Sequence, residues 1–147
     1  MDSLVNALQA GLGTKLSTLE GEHNDDIHLD APVDFLTGER ALDRISNFPC
    51  VFILAEDTLV EGWNLHTLDN TTSVRVGVVV TDIDADKLKR KLYRYAEACF
   101  EVIIEADLGG WHPVNVARIG YSDTLTNGMQ LMADCVLQWD YQNVEQR

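Results

Sequence analysis

The stretch Asp84-Ala-Asp-Lys-Leu-Lys-Arg-Lys-Leu-Tyr-Arg-Tyr-Ala-Glu-Ala-Cys-Phe-Glu-Val-Ile-Ile-Glu-Ala-Asp107 decides the fold. Its apolar residues Leu88, Leu92, Tyr95, Ala96, Cys99, Ile103 and Ala106 recur every three or four positions, the stripe of one helix face turned to a core. That spacing predicts a long amphipathic helix over 84–107. Asp84 stands where its carboxylate can cap the first free amides, and Ile83 and Leu88 have the spacing of a hydrophobic staple. Gly109-Gly110 and Pro113 mark the end.

Strand patterns flank this helix. In Ser73 to Thr81, Val74, Val76, Val78 and Val80 fall on one side and Ser73, Arg75, Gly77 and Thr81 on the other. After the helix come Val114 to Tyr121 and then Met129 to Tyr141. In the latter, Met129, Leu131, Ala133, Cys135, Leu137, Trp139 and Tyr141 alternate with a mostly polar series. A slip of one residue would turn that whole series to water, at about 1.5–3 kcal/mol for each large side chain, so the register is firmly specified. Asn127-Gly128 lies in the connection and suits a hairpin turn. The expected class is α+β: a mostly antiparallel sheet of four to five strands with the long helix and an N-terminal helix packed on it.

The N-terminal helix is read over Ser3 to Leu19 from Val5, Leu8, Leu12, Leu16 and Leu19, against the cost of Gly11 and Gly13. Gly11-Leu-Gly-Thr-Lys15 lacks the spacing of a phosphate loop. Gly21 to Asp34 is acidic and without periodicity, the pattern of a solvated loop. Within it His23, Asp25, Asp26 and His28 can bind metal one by one, but in a loop they impose no coordination geometry. Gly38 to Asn47 has the pattern of a short helix capped by Thr37, so that 21–47 forms an acidic insertion. Cys50-Val-Phe-Ile-Leu-Ala55 is a continuous apolar run, expected as a central strand covered on both faces. Trp63 to Leu68 is a weaker strand, and Asp69-Asn-Thr-Thr72 is expected to turn it into Ser73 to Thr81 as a hairpin.

The chain has 147 residues, 46% hydrophobic and 24% charged, which suits a single domain over 1–147. Its longest apolar run, Cys50 to Ala55, is far short of the ~20 residues of a membrane span. Met-Asp-Ser-Leu-Val at the start lacks the basic and apolar segments of a secretory signal, so the expected compartment is the cytoplasm. Cys50, Cys99 and Cys135 are odd in number, lie among apolar neighbours and show no ligand spacing, as reduced core thiols do. The formal net charge of −13 opposes general attraction to nucleic acid phosphate and suits either solubility or a surface past which DNA slides.

Asp82-Ile-Asp-Ala-Asp86 opens like a calcium loop, but Lys87 stands at the sixth position and Tyr93 at the twelfth, so the sharp turn and the bidentate ligand are lost. No nucleophile elbow, zinc helix or glycine fingerprint is present, and neither catalytic nor cofactor residues nor a metal set are assigned. Lys87, Lys89, Arg90, Lys91 and Arg94 hold five of the eleven basic residues within eight positions. Lys87, Lys91 and Arg94 share one helix face, which can meet the acidic surface of another copy or partner. Trp111 and His112 are candidate anchors in the following loop. The candidate interface is therefore Lys87, Arg90, Lys91, Arg94, Trp111 and His112.

Five segments taken together resemble the tail terminator, or tail completion, proteins of long-tailed bacteriophages. They are the N-terminal helix, the apolar strand Cys50 to Ala55, the valine-rich strand Val74 to Thr81, the helix containing Leu88 to Ala98, and the closing hairpin with Val-Ala-Arg-Ile-Gly-Tyr at Val116 to Tyr121. The resemblance implies a virion structural protein assembled in the host cytoplasm. It would form a hexameric ring that caps the tail tube, joins the head connector or neck proteins, and passes DNA through its lumen. A different neck or head-closure component, a monomeric acidic adaptor, and an enzyme with a site of scattered carboxylates are the alternatives that assembly and surface chemistry have to separate.

Overall fold

The computed structural model describes residues 2–23, 25–37, 47–64, 67–106, 112–127 and 129–146; for residues 2, 55–64, 67–70, 114–117, 127 and 143–146 it describes the backbone alone. The elements in chain order are α1 (Asp2–His23), β1 (Asp34–Thr37), β2 (Cys50–Asn64), β3 (Thr67–Asp82), α2 (Ala85–Glu105), β4 (His112–Tyr121), β5 (Leu125–Asn127) and β6 (Gln130–Gln146). One sheet of six strands runs β1-β2-β3-β6-β4, with β5 also paired to β6. Only β1 and β2 pair in parallel, so the sheet is mostly antiparallel, as expected for the class. Six strands stand against the expected four to five, and the two that the sequence pattern misses are short: β1 and β5 hold four and three residues, too few for periodicity to register.

The amphipathic pattern of the central helix is realised. Leu88, Leu92, Tyr95, Ala96, Cys99 and Ile103 are buried, and the Asp84 carboxylate accepts from the amides of Asp86 and Lys87. The staple is not made, because Ile83 is 78% exposed while Leu88 is buried. The helix ends at Glu105 with Ala106 already extended, and Gly109 and Gly110 lie outside the described residues.

In α1 the buried stripe is Leu4, Leu8, Leu12, Leu16 and Leu19, with Val5 half-buried beside it. The helix also runs on to His23. Gly11 lies where α1 meets α2: a methyl group there would stand 3.4 Å from a Val102 methyl. Both helices close over Val51, Ile53, Val74, Val76, Val78, Val80, Cys135 and Leu137, one continuous apolar cluster.

The opposite sheet face carries a smaller cluster around Phe52 and Val79, with Leu36, Phe48, Leu54, Met132 and Val136 against it. Cys50 to Ile53 is therefore covered on both faces, as its unbroken apolar run predicts.

Three expectations are corrected. Asp69 to Thr72 is not a turn. It is strand, paired on one side with Leu59–Glu61 and Thr58 and on the other with Tyr141–Val144. The first hairpin is thus β2 with β3, and its end pair is Asn64 with Thr67. Polar β-branched and amide side chains mark turns only when no partner strand claims their backbone, and here two strands do.

Met129, assigned to the buried series, precedes β6 and is 97% exposed; burial begins at Ala133. The strand alternation is real, but Met129 stands in the turn before the strand, while Leu131 is half-buried against the main core.

The acidic stretch is an irregular, largely exposed loop only from Asp25 to Val33, and it is fastened to the core rather than freely solvated. Gly21 to His23 complete α1, and Ile27 and Leu29 are 1% and 5% exposed within the main core. The expected helix over Gly38–Asn47 falls almost wholly outside the described residues, and Thr37 is the last residue of β1.

Candidate interaction surface

The strap from Asp25 to Val33 places the basic cluster. Its alternation, Ile27 and Leu29 inward with Asp26, His28 and Asp30 outward, is a strand-like period in a segment bound by side chains rather than by a ladder. Glu20 accepts from the Leu29 amide at 2.8 Å, and the buried Tyr95 hydroxyl donates to the Asp30 carbonyl at 2.5 Å. Burial holds the Tyr95 phenol far above its ordinary value.

Arg94 closes the strap as a two-pronged pair: Nη1 and Nη2 donate to the two Asp25 carboxylate oxygens at 2.9 and 2.6 Å. Arg94 is 9% exposed, and its hydrogen bonds hold the Asp25 carboxyl well below the usual carboxylate range. Lys87 reaches Asp26 at 3.1 Å, and Lys91 reaches Asp82 at 2.8 Å. Lys87, Lys91 and Arg94 share a face as expected, and the charges that meet it come from this chain's own strap and from the end of β3.

The remaining charge of α2 shifts the exposed surface elsewhere. Lys89 and Arg90 are exposed and make no ion pair among the described residues, and the same is true of Arg118 on β4. His112 is the first residue of β4, exposed and across from Gln142; Trp111 lies outside the described residues.

Between α2 and β4 the rings of Tyr93 and Tyr121 meet edge to face, with centroids 4.9 Å apart. Both remain open to solvent, at 55% and 45%. With Lys89, Leu92 and Ser122 to Thr124 they line a pocket of about 230 Å³. Ile119, Leu125 and Met129 extend the exposed apolar surface along this edge of the sheet.

Sequence periodicity could have found Tyr93, because it falls outside the stripe that includes Leu92, Tyr95 and Ala96. It could not have found Tyr121, whose alternation matches that of a core residue. Tyr121 lies on the helix side, across from buried Cys135, but its strand is the sheet edge.

Chemistry that needs a nucleophile or a metal finds little here. The three cysteines are free and buried, and burial pushes Cys135 up to about 12 and Cys99 well above the ordinary thiol value. Such thiols stay protonated and are poor nucleophiles and ligands. Among the described residues no group of three or more His, Cys, Asp or Glu is placed to hold a metal ion. His28 instead lies between Glu20 at 2.5 Å and Asp30 at 2.7 Å, which raises its pKa. No described helix is long and apolar enough to cross a membrane.

No family model matches this sequence, and no curated protein matches it. Among solved structures, a chain of the virion of a native gene transfer agent particle is similar to it in fold. The alignment covers 95% of this chain and 98% of that one, at 10% identity and a TM-score of 0.39.

Proposed function

We propose that this chain is a structural protein of a phage-like virion: a tail terminator whose copies close into a hexameric ring at the end of the tail tube and join it to the head connector. The observation that carries the reading is the extension of the sheet. β3 and β6 continue in unbroken register beyond the last described core residues, Val74 and Tyr141, to the pair Thr67 with Gln146, and β2 follows β3 through two register shifts, at Ala55/Thr58 and Gly62/Asn64, to the pair Asn64 with Thr67.

That is a three-stranded arm about 20 Å long at the usual rise per residue. Its edge groups seek partners, which suits a subunit that reaches a neighbour or an axial protein. The excess of 24 acidic over 11 basic residues suits a lumen that passes DNA without holding it. The element order in which the sequence resembles tail terminators, helix, two strands, helix, closing hairpin, is the order of the fold.

The test is native mass from micromolar to millimolar concentration, with images of the heaviest fraction, followed by mixing with purified tail tubes. A six-fold ring that caps tubes is the expected result. A ring that ignores tubes would assign the chain to the neck or head closure instead. A monomer throughout would leave the adaptor reading in its place.

A further inference from the structure

The flank of α2 and β4 combines three features that no intramolecular contact uses. Two half-exposed tyrosines meet edge to face, a pocket of about 230 Å³ opens beside them, and Lys89, which lines it, and the adjacent Arg90 are exposed without an ion pair among the described residues. Tyrosines that are neither buried nor bonded across a core are common anchors of protein contacts. Exposed cations in a chain of net charge −13 complement the surface of that same chain.

The same molecule also carries the matching knob. Met129, between β5 and β6 and 97% exposed, is the most exposed large apolar residue described. A methionine is unbranched and polarizable, and its sulfur packs favourably on aromatic ring edges. It stands outside its own pocket: the near wall at Thr124 adjoins Leu125, which pairs with Met132, and the far wall at Tyr121 pairs with Cys135, so three to six strand steps, about 10–20 Å, separate Met129 from it, and Met129 is 97% exposed. A knob and a seat on one chain, too far apart to meet, join one copy to the next.

We infer that this flank is a contact between copies of the chain, in which Met129 of one copy seats in the Tyr93–Tyr121 pocket of its neighbour, with Lys89 and Arg90 facing the neighbour's acidic surface. The inference rests on the ring reading and specifies its joint. Tyr93 and Met129 are exposed, so replacing either leaves the core intact, and an unchanged thermal melt verifies this for each variant.

The experiment places a benzophenone amino acid at position 93 of the full-length protein, irradiates the assembled fraction, and maps the cross-link. In parallel, native mass is measured for Tyr93→Ser, Met129→Ser and Met129→Leu. The expected result is a cross-linked dimer joined at Met129. The two serine variants should assemble about tenfold or more weakly, and the leucine variant should assemble nearly as the parent does.

A ring that forms with the cross-link mapped elsewhere, or that tolerates Met129→Ser, overturns the seat and leaves the ring reading standing. A parent protein that stays monomeric at every concentration overturns both.

Discussion

Arg94 of α2 and Asp25, 69 residues earlier, form a two-pronged ion pair at 2.9 and 2.6 Å that fastens the acidic strap over the helices. The pair lowers the Asp25 pKa, so its stabilisation is fully present above the ordinary value of 3.8 and is lost as pH falls from there through the lowered value. Arg94→Gln should melt at a lower temperature near neutral pH. Its difference from the parent should shrink as the pH falls below 3.8, measured by thermal unfolding across an acid series. Hydrogen exchange in the variant should quicken first at the amides of Ile27 and Leu29. A parallel acid profile for the two proteins would rule the strap out as the source.

His28 has the opposite sign. Glu20, then Asp30, raise its pKa above 6.5, so its contribution is complete below 6.5 and fades as pH rises through the raised value. Lys87 stands on the neighbouring Asp26 of the same strap, and Arg94 and Tyr95 face the strap from α2. His28→Gln should flatten the parent's loss of melting temperature as pH rises above 6.5, and, because His28 assists the Leu29 amide in lowering the Glu20 pKa, should also remove a smaller part of the acid limb below 4.5.

Phe52 and Gly77 are direct cross-strand partners, and the phenyl ring fills the space over the glycine: a Cβ at position 77 would stand 2.0 Å from the ring. Gly77→Ala must displace a ring that is 3% exposed, at a cost of about 1–3 kcal/mol in overpacking. Phe52→Leu in the same chain should recover part of it. Gly21, in the last turn of α1 with nothing within 4 Å, predicts the reverse: Gly21→Ala should stabilise by about 0.4–1 kcal/mol. Chemical denaturation of the four proteins measures both signs.

Tyr141 and Trp139 meet edge to face with centroids 5.4 Å apart, and neither the hydroxyl nor the indole N–H has a partner of full hydrogen-bond geometry among the described residues. Burial pushes the Tyr141 pKa up to about 12, and the close indole N–H lowers it only in part. A buried polar group left unbonded costs about 1–3 kcal/mol, so Tyr141→Phe should be neutral or stabilising, an outcome rare for a core substitution. A loss of stability in the same denaturation assay would mean that the hydroxyl is bonded in solution.

The helix stripe from Leu88 to Ile103, the valine face of β3 and the alternation from Ala133 to Tyr141 were legible in the sequence, because a period of 3.6 or 2 is a property of consecutive residues and survives without knowledge of the partner. The Asp84 cap was legible for the same reason. The proposed interface was legible in part. The sequence located the cationic density of α2 but had no means of deciding which cations remain exposed, since Asp25 and Asp26 reach Arg94 and Lys87 only after the strap folds back.

Tertiary structure alone decided that Asp69 to Thr72 is strand, because a neighbour on each side claims its backbone, and that Met129 is exposed, because it falls in the turn before β6. It also turned Tyr121 from a core position into one half of an open aromatic pair, since β4 is the sheet edge. Local order in the chain determined which residues face a core. Where that core stops, and so which surface is left for another copy, follows from contacts between residues far apart in the sequence, which no local pattern encodes.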